Sequence, residues 1–351
     1  DRRATGGVEA LEYHAESEAG ALFSSHATTV PAISISASIS GTSTQAIRLY
    51  NQNNSSPTTI QSLATTGGGV AITSNLGSTS TGVGSFLASV NFLSANGPIT
   101  YSSNAVLSIT NQGYNQFWGA RSGTSVSNSV ANVNWVVNGL SGANNTAIVS
   151  TSGAVSVQPF ATQFGSNVEL WQDVNDASSF TVGSNSLINI ATYDVLPRGT
   201  VNINGPIEMY GRTFIWAGNE DLKTYGSGAR VLVKAKDDIY IPDGSGTADA
   251  NNTTFQTNQG DLIFWSDADS SSAGSIHFGH YTQAITDNGL KSTGAVSGGG
   301  DIILGGGSTG DANGYPTGFA RGGATYSTDR GLELRFYLGF YTGGGDLIMR
   351  G

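Results

Sequence analysis

Four stretches of this chain repeat one design: Gly260-Asp261-Leu262-Ile263-Phe264-Trp265-Ser266-Asp267-Ala268-Asp269, Gly274-Ser275-Ile276-His277-Phe278-Gly279, Gly299-Gly300-Asp301-Ile302-Ile303-Leu304-Gly305-Gly306-Gly307 and Gly343-Gly344-Gly345-Asp346-Leu347-Ile348-Met349-Arg350-Gly351. Each opens on glycine or Gly-Asp, runs through a few alternating residues with β-branched or aromatic members, and closes on turn-forming residues. That is a short strand between two turns. One such strand cannot bury its apolar face alone, so its recurrence constrains the chain to an architecture in which units stack.

Composition supports a folded chain with an unusual surface. Hydrophobic residues make up 38% of the sequence and charged residues only 11%, with 49 glycines; a disordered chain would carry fewer apolar and more charged residues. Between Glu18 and Glu169 the only charged side chains are Arg48 and Arg121, so the surface of that stretch is built from Ser, Thr, Asn and Gly. Neutral surfaces are less protected against self-association than charged ones. The net charge of −10 and the lack of any basic run argue against a nucleic-acid partner, which needs a basic face to displace counterions. There is no cysteine, hence no disulfide or thiolate metal site. No apolar run approaches the roughly 18–20 residues of a membrane-spanning helix.

Along the chain, residues 1–30 read as a lead-in, a short helix or cap, because Gly7–Ala19 holds the only run of good helix formers. Residues 31–198 read as a Ser/Thr/Asn-rich solenoid part, starting where Ile33, Ile35, Ala37 and Ile39 alternate with serines, and residues 199–351 as Gly-Asp-rich repeats. Phe86–Leu93 and Leu187–Ile190 read as strands among many others. Asn111–Ser129 and Gly305–Ala324 read as long polar loops. Alternate side chains point to opposite faces of a strand. Taking the aliphatic set as inward places Val231, Val233, Ile239, Ile241, Leu262, Phe264, Ile276, Phe278, Ile302, Leu304, Leu332, Leu334, Phe336 and Leu338 inside, and Trp171, Lys234, Tyr240, Trp265, His277, Glu333, Arg335 and Tyr337 outside.

Gly260 to Gly279, Gly298 to Gly307 and Gly343 to Gly351 resemble the repeat segments of giant bacterial surface exoproteins and adhesins of the filamentous-haemagglutinin-like class. The resemblance covers roughly residues 200–351; the Ser/Thr/Asn-rich half is similar in composition and strand rhythm only. It implies a right-handed parallel β-helix acting as an adhesin or cell-surface fibre. No Asn-Pro-Asn-Leu motif of the family's secretion-signal domain is present. The start at Asp1-Arg2-Arg3 and the close in a repeat unit lead us to expect a piece of a longer protein.

Candidate sites are few. Asp267 and Asp269 open Asp267-Ala268-Asp269-Ser270-Ser271 like a calcium loop and are the residues that would hold calcium, the one cofactor this sequence suggests, with Asp243 and Asp249 as an alternative pair. However, Ser272 stands where the loop wants glycine and Phe278 where it wants the closing Glu. His277 and His280 lack a third zinc ligand nearby, and Gly305–Gly310 lacks the lysine of a phosphate loop. Asp261, Asp301 and Asp346 follow the glycine of successive units, which suits a turn position with Asp hydrogen-bonding its own backbone better than a catalytic pair. The outward aromatics Trp171, Tyr240, Trp265 and Tyr337 are the candidate contact residues for a partner or a sugar.

The expected fold is therefore all-β, a right-handed parallel β-helix (β-solenoid) of short strands with long polar loops. The expected function is a structural and adhesive segment of a secreted bacterial cell-surface protein, non-enzymatic and extracellular. Its partners would be neighbouring repeats, copies of itself, or a host, cell-surface or polysaccharide ligand. Two alternatives are a self-assembling extracellular filament subunit and a carbohydrate-active β-helix enzyme.

Overall fold

The computed structural model describes all residues except 1, 6–8, 16–20, 41–44, 52–56, 78–82, 111–115, 122–123, 143–146, 218–219, 243–252, 280–281, 287–297, 323–329 and 336–337. Apart from one short 3₁₀ helix its regular elements among the described residues are strands, and it divides into two compact units, Asp1–Ser178 and Ser179–Gly351. In both, strands pair in parallel with the third strand before and the third after, so three strands make one coil and like strands stack into three sheets; the hairpin strand Pro316–Gly318 shifts this count near the end, where Ile276–Phe278, Gln283–Ile285 and Ile302–Gly310 pair with the fourth strand after them. This is the parallel β-helix expected from the repeats.

In the first unit the first sheet stacks Arg2–Thr5, Ile33–Ser40, Val70–Leu76, Ile99–Ser103, Val133–Val137 and Ala154–Pro159. Register is strict: Ile33, Val70, Ile99, Val133 and Val155 form one column, and Ile35, Ile72, Tyr101, Trp135 and Val157 the next inward one. Aromatic rings fill the interior, with Trp118 4.6 Å from Phe92 and edge-on to Trp135 at 5.1 Å. The lead-in is not helical: Glu9–Ala15 is a strand paired with Gln45–Asn51, because a neighbouring strand edge satisfies its backbone where a weak apolar face could not stabilise a helix. The run Phe86–Leu93 is two strands, Val83–Ala88 and Val90–Ser94, divided at Ser89, whose φ of 54° turns the coil's corner.

In the second unit the first sheet stacks Ser179–Val182, Ile207–Gly211, Val231–Ala235, Leu262–Ser266, Ile302–Gly310 and Leu347–Met349. The predicted inward residues from Val231 to Leu304 are all buried. Phe264 meets Phe255 and Phe278 edge-on at 4.8 and 4.9 Å. Leu334, expected inside, is exposed in the last strand of its sheet, since each coil is covered only by its neighbours. Phe336 and Tyr337 lie outside the described residues.

Parity succeeds inside and fails outside. The outward column Leu232, Ile263, Ile303 is buried and packs with Tyr210 and Tyr315. Residues 305–318, read as loop, instead form a β-hairpin in which Ile302–Gly310 turns back antiparallel on Pro316–Gly318. Leu187–Ile190, read as a strand, belongs to the 3₁₀ helix Asn185–Ile190, whose Ile188 packs on Trp265 and Ala268. These two elements clothe the outer face of the first sheet.

Candidate functional site

The corner where the third sheet turns into the first is held in the same way along both units. A hydroxyl residue at or near the end of a third-sheet strand meets turn backbone with its Oγ: Ser94 Oγ donates to Gly97 O at 2.6 Å, Thr286 Oγ1 to Gly300 O at 2.6 Å and Thr257 Oγ1 to Gly260 O, each further along the chain, while Thr224 Oγ1, within its strand, donates at 2.7 Å to Gly205 O in the turn of the coil before. A hydroxyl three residues before a glycine is the local signal in Ser94/Gly97 and Thr257/Gly260, and sequence reasoning missed it.

The second unit adds a carboxylate ladder. Asp301 N–H donates to Asp261 Oδ1 at 2.9 Å, and Asp346 N–H to Asp301 Oδ1 at 2.7 Å. The sequence reading of a turn role is right, but the acceptor serves the next coil's backbone rather than its own. The glycines before these aspartates are required by the stacking: a Cβ at Gly300 would lie 2.3 Å from Gly260 O, and one at Gly345 2.3 Å from Gly300 O. Tyr315 OH joins the ladder by donating to Asp261 Oδ2 at 2.9 Å and Asp301 Oδ2 at 3.1 Å. Burial, then the two carboxylates, pushes this phenol far above its ordinary range.

The candidate contact residues have different fates. Trp265 is not exposed: the hairpin covers it, its Nε1 donates to Gly307 O at 2.5 Å, and Lys234 Nζ sits 3.7 Å from its ring centre. Lys234 in turn donates to Asn185 Oδ1 at 2.8 Å, and burial lowers its pKa. Tyr240 is half-buried against His277, ring centres 4.9 Å apart, and His277 Nδ1 lies 3.2 Å from Glu333 Oε2. Although burial alone would raise the Glu333 pKa, His277, Arg335 and Arg330 outweigh it and hold the carboxyl below its usual value. Trp171 is half-buried, its Nε1 3.3 Å from Glu169 Oε2. Tyr337 lies outside the described residues.

What the second unit does assemble is a cleft of about 240 Å³ between the turn 267–274 and the hairpin. Asp267, Ser270 and Ser272 line one side, and Thr309, Phe319 and Arg321 the other. Three of the six described non-glycine residues with positive φ fall in this turn: Asp267 at 48°, Ser270 at 56° and Ser272 at 69°. Ser272 thus adopts the left-handed backbone that a calcium loop gives to glycine, yet Phe278 faces the core. The turn's own donors occupy its acids. Asp267 Oδ1 accepts Ser272 N–H at 3.1 Å and Ser271 Oγ–H at 3.3 Å, and Asp269 Oδ1 accepts Ser271 N–H at 3.1 Å. Lys236 Nζ lies 3.8 Å from Asp269 and Arg321 Nε 4.0 Å from Asp267 Oδ2. Among the described residues no three acids or histidines converge on a metal position. Burial, only partly offset by these hydrogen bonds, raises the Asp267 pKa. Asp243, Asp249 and His280 fall outside the described residues.

Comparison of the chain with protein-family models, curated proteins and solved structures returned no match. The functional reading therefore rests on the geometry and on the resemblance of the repeat units. Among the described residues no helix is long and apolar enough to cross a membrane.

Proposed function

We propose that this chain is a structural and adhesive segment of a secreted bacterial cell-surface protein, a stiff β-helical shaft that works by reach and surface contact rather than by chemistry. The carrying observation is the ladder Asp261–Asp301–Asp346, in which carboxylates that recur with the repeat point along the stack onto backbone N–H groups. A glycosidase needs two carboxylates facing a sugar from about 5–10 Å apart. Here the repeated acids tie coil to coil, which supports a load-bearing role. Strand-to-strand hydrogen bonds in register provide the stiffness. The test has two parts: immunogold labelling of intact cells, expected at the outer surface, and adherence of beads coated with the purified chain to glycan-bearing surfaces. Purely intracellular label, or reducing-sugar release from a polysaccharide, would overturn the reading.

A second reading, a self-assembling filament subunit, draws on the first unit. Its outward columns Ala71, Thr100, Asn134, Ser156 and Thr73, Ser102, Val136, Gln158 carry no charge over four adjacent strands. Polymerisation of the purified chain, seen by electron microscopy and sedimentation, would favour this reading over an isolated shaft.

A further inference from the structure

The interior of the first unit is not wholly apolar. We propose that its inner corner, where the second sheet turns into the third, binds a short file of ordered water molecules between Thr58 and Gln172, centred on Gln116. These waters act as structural ligands that bridge one coil to the next, and the inference is independent of the adhesive reading.

Register builds the site. At this corner the chain enters the third-sheet strands Thr58–Ser62, Val90–Ser94, Gln116–Gly119, Ala147–Ser150 and Asp173–Asn175. Thr58 pairs with Val90, and Gln116 stands two residues before the pair Trp118–Phe92, level with Val90. Gln116 pairs in turn with Ala147, and Gln172 stands one residue before the pair Asp173–Ile148, level with Ala147. The column therefore reads Thr58, Val90, Gln116, Ala147, Gln172. Alternate residues of a strand share a face, and two positions further on stand Ile60, Phe92, Trp118, Val149 and Val174, all core, so the column belongs to the inward face. Thr58 N–H also donates to Ser89 O at 3.0 Å, which brings Ser89 to the same corner.

Thr58, Ser89, Gln116 and Gln172 are each at most 3% exposed. Yet Thr58 Oγ1, Ser89 Oγ, Trp118 Nε1 and both amide atoms of Gln116 and of Gln172 have no hydrogen-bond partner among the described residues. Buried polar side chains are as a rule paired with protein or with ordered water. The chemistry of the column selects the partner. It carries no charged side chain, so it offers neither the carboxylates of a hard-cation site nor the cations of an anion site. Its amides and hydroxyls both donate and accept, and the indole only donates, so the ligand must do both. The closed walls admit only a molecule small enough to enter by local opening. Water meets all three demands and makes about three hydrogen bonds in such sites. It also fits the spacing: coils lie about 4.8 Å apart, and two hydrogen bonds of about 2.8 Å meeting at a water's near-tetrahedral angle span nearly that distance.

The experiment is oxygen-17 relaxation dispersion of water on the purified 351-residue chain, which counts water molecules held inside a protein. Gln116→Leu and Gln172→Leu are each expected to lower the amplitude by the equivalent of about one long-lived water per chain. Both should unfold at an equal or higher urea concentration than the parent, because an apolar side chain of similar shape needs no partner. Gln158→Leu, on the outward face of the first sheet, is expected to leave the amplitude unchanged. An unchanged amplitude in either interior variant, or an equal fall in Gln158→Leu, would overturn the proposal. Should the interior variants not fold, a crystal structure of the unaltered chain asks the same question. Density for a water within hydrogen-bond distance of the Gln116 amide supports the file, and its absence there sinks it.

Discussion

The two units are built on the same coil and differ in what covers it. In the first, the outward face of the first sheet is an uncharged, half-buried surface of Ala, Thr, Ser, Asn, Val and Gln, and corners are pinned by hydroxyls such as Ser94 and Thr151, whose Oγ1 donates to Ala131 O at 2.5 Å. In the second, the equivalent face is apolar at Leu232, Ile263 and Ile303 and covered by Tyr315, and a carboxylate ladder reinforces the hydroxyl corner. The difference teaches that a solenoid's inward columns make the shaft, whereas its outward columns decide whether a coil meets water or carries a second layer. The cleft of the second unit lies where such a layer meets a turn.

The comparison can be tested most severely from within. Phe264→Ala should cost about 3–5 kcal/mol as a large-to-small change in a packed core. Because stability in stacked repeats is passed mainly between neighbours, hydrogen-exchange protection should fall around Leu262–Ser266 and the coils beside it. Trp118→Ala should do the same to the first unit. If either substitution abolished protection evenly along all 351 residues, the two units would be one cooperative body.

A smaller effect probes the ladder. Asp301→Ala removes the acceptor of the exposed Asp346 N–H and one of the two bonds of Tyr315 OH, at about 1 kcal/mol, the net value of ordinary hydrogen bonds. Asp301→Asn keeps an Oδ1 acceptor and should recover most of the urea midpoint. Equal loss in both would show that the charge, rather than the hydrogen bond, is what matters.

The cleft acid gives a pH signature. Burial raises the Asp267 pKa in the folded state, so the folded chain keeps that proton to higher pH than the unfolded chain does. Its contribution to stability therefore falls as pH rises from the ordinary carboxylate range through the folded pKa, and is level above it. Asp267→Asn should remove that segment of the curve and unfold at an equal or higher urea concentration at neutral pH. A parent curve parallel to that of the variant across this range would contradict the assignment. Glu333 has the opposite sign, its contribution being lost as pH falls through its lowered pKa.

The smallest stability effect is predicted on the uncharged face. Thr100→Lys and Gln158→Glu should each change stability by no more than about 0.5 kcal/mol, as for ordinary surface sites. If the uncharged face drives self-association, the pair should still reduce sedimentation of concentrated protein. Unchanged sedimentation would remove that face from the filament reading.

Alternation within strands determined a great deal about this protein. It marked Leu262 and Phe264, Ile276 and Phe278, Ile302 and Leu304 as one interior, and the recurring Gly-Asp placed the corner at which those strands stack. It could not tell that Trp265, Lys234 and His277, correctly assigned to the outer face, are buried there, because a period of two says which residues share a face and nothing about what the face meets. Nor did the apolar run Phe86–Leu93 reveal its corner at Ser89, since a left-handed residue there is imposed by the coil and not by Ser itself. Leu187–Ile190 alternates no better as strand than as helix and takes its form from packing on Trp265. The cleft was least legible of all: Asp267 and Phe319 stand 52 positions apart and meet only because the hairpin folds back over the sheet. Local chemistry decided which residues turn inward; long-range packing decided which of the others remain in water.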